Sequence, residues 1–113
     1  MQKAITDSGI TAEVIVIDNH SGDTSLAYLK PLFPCVEFVA NKENFGFAKA
    51  CNQGLKLSKG KYSLFLNPDT IIPEDCFSKC ISFFETHADA GALGVKMLDG
   101  RGKFLKESKR AFP

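Results

Sequence analysis

The apolar residues of this chain alternate between two rhythms. Val14-Ile15-Val16-Ile17 is a short β-branched run, apolar on both faces, as a buried parallel strand requires. It stops at the polar cluster Asp18-Asn19-His20-Ser21-Gly22. Asp23 is placed to cap a helix of about nine residues that carries Leu26, Leu29 and Leu32 inward and closes at Pro31 and Pro34. Val36 to Ala40 reads as a second strand, followed by the loop Asn41-Lys42-Glu43-Asn44. From Phe45 to Ser58 the period becomes helical, with Phe47, Cys51 and Leu55 on one stripe flanked by Ala48. Lys59-Gly60-Lys61 ends that helix, and Tyr62 to Leu66 reads as a third strand stopping at Asn67-Pro68-Asp69-Thr70. Pro73 suits the first turn of the next helix, Glu74 and Asp75 suit its positive end, and Phe77, Cys80, Ile81 and Phe84 form its inner face. Ala92 to Leu98 and Lys103 to Lys106 flank Asp99-Gly100-Arg101-Gly102, a hairpin turn signal. The fold class predicted is α/β: an open, mostly parallel sheet of βαβ units with a C-terminal β-hairpin.

Composition narrows this little. A length of 113 residues fits one domain. With 44% hydrophobic and 24% charged residues the chain is ordinary globular, which argues against wholesale disorder. A net charge of +1 argues against binding to bulk nucleic acid or an anionic membrane. No apolar run approaches the roughly 18–20 residues of a membrane span. Cys35, Cys51, Cys76 and Cys80 show no metal-ligand spacing; Cys76 and Cys80, four apart on one helix face, read as buried free thiols, consistent with a reducing compartment. His20 and His87 have no partner pattern; His87 ends a helix, where a cation complements the dipole.

The candidate chemistry sits at the strand ends, because ligands of open α/β sheets bind beyond the carboxyl ends of the strands. Asp18 follows the first strand and Asp69 the third, so parallel strands bring both to one edge. For Asp18 the alternatives are a turn carboxylate bonding nearby N–H groups and an acceptor for a nucleobase edge. For Asp69 they are an Asx-type turn and a ligand for Mg²⁺ or Mn²⁺, beside the Asn67 carboxamide and completed by substrate phosphates. Asn52 lies near the inner stripe of its helix, where an unpaired carboxamide costs roughly 1–3 kcal/mol, so it is expected to bond loop backbone around Asn41 to Gly46. Gly46 lets backbone or ligand approach closely, and phosphate at this helix N-terminus is conceivable. Neither a Rossmann glycine fingerprint nor a P-loop is present.

Three ordered motifs resemble those of family 2 glycosyltransferases, over nearly the whole chain from about Glu13 onward. Val16-Ile17-Asp18-Asn19-His20-Ser21-Gly22-Asp23-Thr24-Ser25 resembles the element VVDNxSxDxS. Asn44-Phe45-Gly46-Phe47-Ala48-Lys49-Ala50-Cys51-Asn52-Gln53-Gly54 is similar to NxGFAxAxNxG, and Leu66-Asn67-Pro68-Asp69-Thr70 to the LNPDT variant of the DxD motif found in rhamnosyltransferase-like members. The tail from Gly94 to Asp99 and on to Arg110-Ala111-Phe112-Pro113 follows the segment GxxGPKxLxxDG…RRxFP.

The resemblance implies the GT-A fold and a nucleotide-diphosphate-sugar donor, UDP- or dTDP-linked. It implies a donor site of Asp18, Asn19, Ser21, Asn44, Gly46, Asn52, Asn67 and Asp69. In it Asp18 meets the base, Asn67 lies near ribose and diphosphate, Asn44 and Asn52 shape the pocket, and Asp69 is the ligand of Mg²⁺ or Mn²⁺. Asn67 stands where the DxD motif has its first aspartate, leaving one carboxylate fewer for the metal. Inverting transfer to a glycan or lipid-linked acceptor hydroxyl follows, in cell-surface polysaccharide or glycolipid synthesis, with no nucleic-acid partner. The expected location is the cytoplasm, including a peripheral position at the inner face of the membrane.

Residues 1–113 are expected to form a partial GT-A donor-binding domain. The family's first strand is not found before Glu13, where Met1 to Gly9 reads as the end of a helix, and its general base and acceptor half are expected beyond Pro113. The gap left between the strands ending at Asp18 and Asp69 predicts self-association, strand exchange or a rearranged sheet, and no sugar transfer by the chain alone. Two other readings compete: a non-catalytic nucleotide-binding or assembly module on the same fold, and a flavodoxin-like regulatory domain, whose clustered acids and late lysine are not supplied.

Overall fold

A computed structural model describes residues 5–6, 8–22, 25–67 and 70–104. Its ordered elements are β1 (Ile15–Asp18), α1 (Ser25–Leu32), β2 (Glu37–Ala40), α2 (Phe47–Leu57) and α3 (Cys76–Thr86). Ile5, Thr6 and Ser8 are helical and the chain leaves them through Gly9 at φ +66°, in line with a helix end there.

The β-branched run does make a strand, and β1 pairs in parallel with β2 in the register Ile15↔Glu37 to Asp18↔Ala40. The ladder continues one bond at each end, from Glu37 N–H to the Val14 carbonyl (3.0 Å) and from Asn41 N–H to the Asp18 carbonyl (2.8 Å). α1 packs on β2 and α2 on β1, which is the expected α/β arrangement. Asp23, the expected cap of α1, lies outside the described residues.

Several expectations need correction. Pro31 does not close α1 but lies inside it; the Phe33 N–H reaches the Leu29 carbonyl (3.1 Å) across the proline, and Pro34 marks the turn. Leu32 is exposed rather than inward. α2 begins at Phe47, and Phe47 and Leu55 are exposed, because the inner stripe runs through Ala50, Cys51, Gly54 and Ser58. The helix meets β1 at Gly54, where a Cβ would lie 3.8 Å from Ile17 Cγ1, an ordinary van der Waals contact.

Tyr62–Leu66 is not a strand. Among the described residues the sheet has two strands, and this segment runs unpaired with Leu64 and Phe65 more than half exposed. A strand exists only through a ladder partner, and no described backbone lies in register with it. Pro73 precedes α3 rather than opening it, its carbonyl accepting the Cys76 N–H (3.1 Å). The inner face of α3 is as the pattern has it, with Phe77 buried and Cys80, Ile81 and Phe84 half-buried. Asp99–Gly102 does turn, with the Asp99 N–H bonding the Lys103 carbonyl (2.7 Å) and a single antiparallel bridge Leu98↔Phe104; Lys106 lies outside the described residues. All four cysteines are free, but Cys35 is exposed and the other three only half-buried.

Candidate functional site

β1 ends where its apolar run ends, and the polar residues that follow are gathered by α2. This helix runs antiparallel to β1 and is fastened at both ends. At its C-terminus the Glu13 carboxylate accepts the N–H groups of Lys59 and Gly60. At its N-terminus Asn44 Oδ1 accepts the Gly46 N–H (2.9 Å) and Asn19 Oδ1 accepts the Phe45 N–H (3.1 Å). Gly46 sits at φ +85°, a backbone conformation that only glycine adopts cheaply, so the turn into α2 depends on it.

Asp18, Asn19, Ser21, Asn44 and Gly46 are thus brought together at one edge of the β1–β2 sheet. Asp18 Oδ1 accepts the Ser21 N–H (3.2 Å), the turn role open to it, while Oδ2 bonds no other described residue. One carboxylate oxygen therefore remains to meet a ligand. Asn19 donates from Nδ2 to Asn44 Oδ1 (2.8 Å), which leaves the Asn44 Nδ2 group as an uncommitted donor beside it. His20, between them, holds φ +63°, which keeps Asn19 and Ser21 turned back toward the strand end.

Two expected site residues, Asn52 and Asn67, make no bond to that group among the described residues. Asn52 is exposed and its carboxamide bonds no other described residue, because the rotation of α2 turns it outward. It lines an open hollow of about 370 Å³ with Phe45, Lys49, Gln53 and Lys56, the Lys49 ammonium lying 5.7 Å from the centre of the Phe45 ring. Asn67 is exposed and engages only through its carbonyl, which accepts the Thr70 N–H (3.2 Å). Asp69 lies outside the described residues.

The half-buried, hydrogen-bonded carboxamide on α2 is Gln53 rather than Asn52. Gln53 Nε2 donates to Asn41 Oδ1 (2.9 Å) and Asn41 Nδ2 to Gln53 Oε1 (2.8 Å), with a further bond from Asn41 Nδ2 to Asn19 Oδ1 (3.2 Å). Asn41 is the buried polar residue of the described structure. The signal that points to the pair is positional: Asn41 directly follows β2, and Gln53 falls beside Gly54 on the stripe facing the neighbouring strand β1.

Elsewhere the titratable groups serve structure. Burial, and Cys80 beside it, push the Cys76 thiol up. The Tyr62 hydroxyl (2.6 Å) and the Lys61 ammonium (3.0 Å) hold the Glu85 carboxyl below its usual range. Among the described residues no group of three or more His, Cys, Asp or Glu could hold a metal ion. No helix among them is long and apolar enough to cross a membrane.

Comparison with known proteins agrees with the motifs. Residues 3–112 match the profile of Glycosyl transferase family 2. The chain is 32% identical over 95 residues to the minor teichoic acid biosynthesis protein GgaB of Bacillus subtilis, covering 79% of this chain and 11% of that protein. It is 31% identical to the poly(ribitol-phosphate) β-N-acetylglucosaminyltransferase TarP of Staphylococcus aureus, covering 85% of this chain and 30% of that one. It is likewise 31% identical to the succinoglycan biosynthesis protein ExoO of Rhizobium meliloti, covering 89% and 30%. The chain thus spans about a tenth to under a third of the length of these relatives. No solved structure gives a significant match. With motifs, strand-edge geometry and a profile match over almost its entire length in agreement, the chain belongs to glycosyl transferase family 2.

Proposed function

We propose that this chain is the donor-binding part of a glycosyltransferase that uses a UDP- or dTDP-linked sugar to build a surface polysaccharide, teichoic-acid-like polymer or glycolipid. One observation carries the reading: two motifs 25 residues apart meet at one sheet edge through the bond from Asn19 to Asn44. Asp18 Oδ2 and Asn44 Nδ2, at that edge, are an acceptor and a donor, the two kinds of group that the imide edge of uracil or thymine requires. The family implies the GT-A fold, and the parallel β1–β2 pair with its packed helices is consistent with it.

The base end would be read by Asp18 with Asn19, Ser21 and Asn44 around it, and Gly46 would let the diphosphate approach the start of α2. Asn67 would lie toward the ribose and diphosphate. Asp69 would hold Mg²⁺ or Mn²⁺ together with the donor's own phosphate oxygens, since the described side chains form no cage without them. Such an ion offsets the charge that builds on the departing nucleoside diphosphate. An acceptor hydroxyl attacking the anomeric carbon from the face opposite the leaving group gives inversion. Asn52, in its outward hollow, fits a contact to the donor's periphery rather than a bond to the loop. A cytoplasmic position, with peripheral seating on the membrane, suits a donor made in the cytoplasm.

Calorimetric titration of the chain with UDP- and dTDP-sugars, with and without Mn²⁺, tests this. Binding is expected to strengthen with Mn²⁺, and D69A is expected to abolish that gain while leaving metal-free binding of the nucleoside end in place. Binding indifferent to both Mn²⁺ and D69A would favour a non-catalytic nucleotide module. The exposed apolar segment Tyr62–Leu66 further supports self-association of the chain, which a monomer by light scattering would refute.

A further inference from the structure

Two cations on the outer face of α2 serve neither its packing nor the donor site. Lys49 and Lys56 are exposed, and neither pairs with a carboxylate among the described residues. With Phe45, Asn52 and Gln53 they line the open hollow of about 370 Å³, a volume in the range of small-ligand sites. Lys56 suits the negative end of its helix. Lys49 does not suit the positive end, where it stands in a first turn without any acidic residue. The Lys49 ammonium lies 5.7 Å from the centre of the Phe45 ring, a contact that orients it and leaves it donors for a ligand. Phe45 in turn bonds Asn19 through its N–H, so this end of the hollow adjoins the donor edge. The motif NxGFAxAxNxG specifies Asn52 but leaves the places of Phe45, Lys49 and Gln53 open, so most of the lining is free to follow a substrate.

Lys49 and Lys56 start about 10 Å apart along the helix axis, with Asn52 between them, so the hollow takes an elongated occupant. Its groups fit a chain that carries anions at intervals: ammoniums for the anions, a carboxamide for a hydroxyl, and a ring for an apolar CH face. Its cations are lysines, point charges that suit a phosphate, and no arginine fork lines it to select a planar carboxylate. We infer that the α2 hollow is a holding site for a phosphodiester-linked polyol or glycan acceptor, with Lys49 and Lys56 as its specificity-determining residues. The inference rests on the donor-binding reading and selects, among the polymers that reading allows, those with phosphate in the repeat. Asn52, at the donor's periphery, joins the two sites. The hollow holds the chain and takes no part in the transfer step.

The test titrates the chain, followed by NMR, with a glycerol-phosphate oligomer, a uronate oligomer of equal charge and anionic phospholipid vesicles. UDP binding in the presence of Mn²⁺ is measured alongside by calorimetry. The phosphate oligomer is expected to shift the amide resonances of Phe45, Lys49, Asn52 and Lys56. K49Q/K56Q should weaken that binding about fivefold, the loss of two exposed charge contacts. K30Q/K103Q removes the same charge from other exposed positions and should bind the oligomer as the parent does. Both double variants should bind UDP unchanged. Equal oligomer affinity in K49Q/K56Q and the parent overturns the holding site, and so does binding of the uronate oligomer or the vesicles at α2 as tight as that of the phosphate oligomer. Either result with UDP binding intact leaves the donor reading in place. Failure of the parent to bind UDP overturns the donor reading, and the acceptor role of the hollow with it.

Discussion

The stretch from Glu13 to Gly60 and the stretch from Lys61 to His87 are held by different chemistry. The first has a parallel ladder, a carboxylate on two backbone N–H groups, and carboxamides that bond one another across three elements. These bonds are directional, so they fix positions as well as proximity. The second is held by rings and surface charge: Tyr62 stacks on Phe84 at 5.1 Å, His87 on Phe83 at 4.1 Å, and Lys61 pairs with Glu85 while both remain largely exposed. Stacking and exposed ion pairs keep Tyr62 against α3 but impose no register on the residues that follow. The consequence is seen in the motifs. Asn19 and Asn44 are placed by several bonds each, whereas Asn67, five residues beyond Tyr62, is exposed and engaged only by its carbonyl. The nucleobase end of the proposed donor site is built by polar bonds within the first stretch, and the diphosphate end has no comparable scaffold among the described residues.

The strongest way to break the comparison is Phe77→Ala. Phe77 is the buried hydrophobic residue of the described structure and lies on α3, so removing its ring should cost about 3–5 kcal/mol in urea unfolding. If the two stretches are separately held, amide exchange in β1 and at Asn41 should stay slow in F77A while α3 exchanges freely. Simultaneous loss of protection in β1 and α3 would show one cooperative unit instead.

Gly46→Ala probes the first stretch alone. A Cβ at Gly46 meets nothing within 4 Å, so any cost is backbone strain at φ +85° and not a clash. That conformation costs a non-glycine residue about 1–3 kcal/mol. The expected outcome is a lower melting temperature with faster exchange at Phe45 and Ala50, whose N–H groups flank the turn into α2. Stacking of Tyr62 on Phe84, followed by tyrosine fluorescence, should not change below the melt. A variant as stable as the parent would mean that Asn19 and Asn44, not the glycine, dictate the turn.

The sequence pattern carried most of this first stretch and less of the second, for physical reasons. A β-branched run such as Val14-Ile15-Val16-Ile17 has few conformations open to it, so β1 was legible, as was the inner face of α3 from Phe77 to Phe84. The inner face of α2 is legible only approximately, because its contact point is Gly54, which adds nothing to a hydrophobic stripe; the pattern therefore points to Leu55 as inner and sets Asn52 near that stripe. Asn41 and Gln53 were missed because an amide reads as polar surface until another amide 12 residues away saturates it. Tyr62–Leu66 has the composition of a strand, yet pairing depends on a neighbour that local pattern does not specify. Of the residues that the motifs single out, Asp18, Asn19, Ser21, Asn44 and Gly46 lie together at one sheet edge, while Asn52 turns outward with its helix and Asn67 lies on an unpaired segment; helix rotation and strand pairing are both beyond what a motif encodes.

The smallest effect, and the sharpest probe of the second stretch, is Glu85→Gln. The Tyr62 hydroxyl first, and the Lys61 ammonium second, hold the Glu85 carboxyl below its ordinary 4.5. Because the folded value lies below the unfolded one, the stabilisation is complete above about pH 4.5 and disappears as pH falls through the folded value. Glutamine keeps an oxygen for the tyrosine hydroxyl but loses the ion pair. E85Q should therefore melt slightly below the parent at pH 7, and the gap should close as the pH is lowered from about 4.5 toward 3. Added salt at pH 7 should narrow it too, since the pair is exposed. A gap that persists at pH 3 and in high salt would mean that Glu85 holds Tyr62 by geometry rather than charge, giving the second stretch a directional fastening like those of the first.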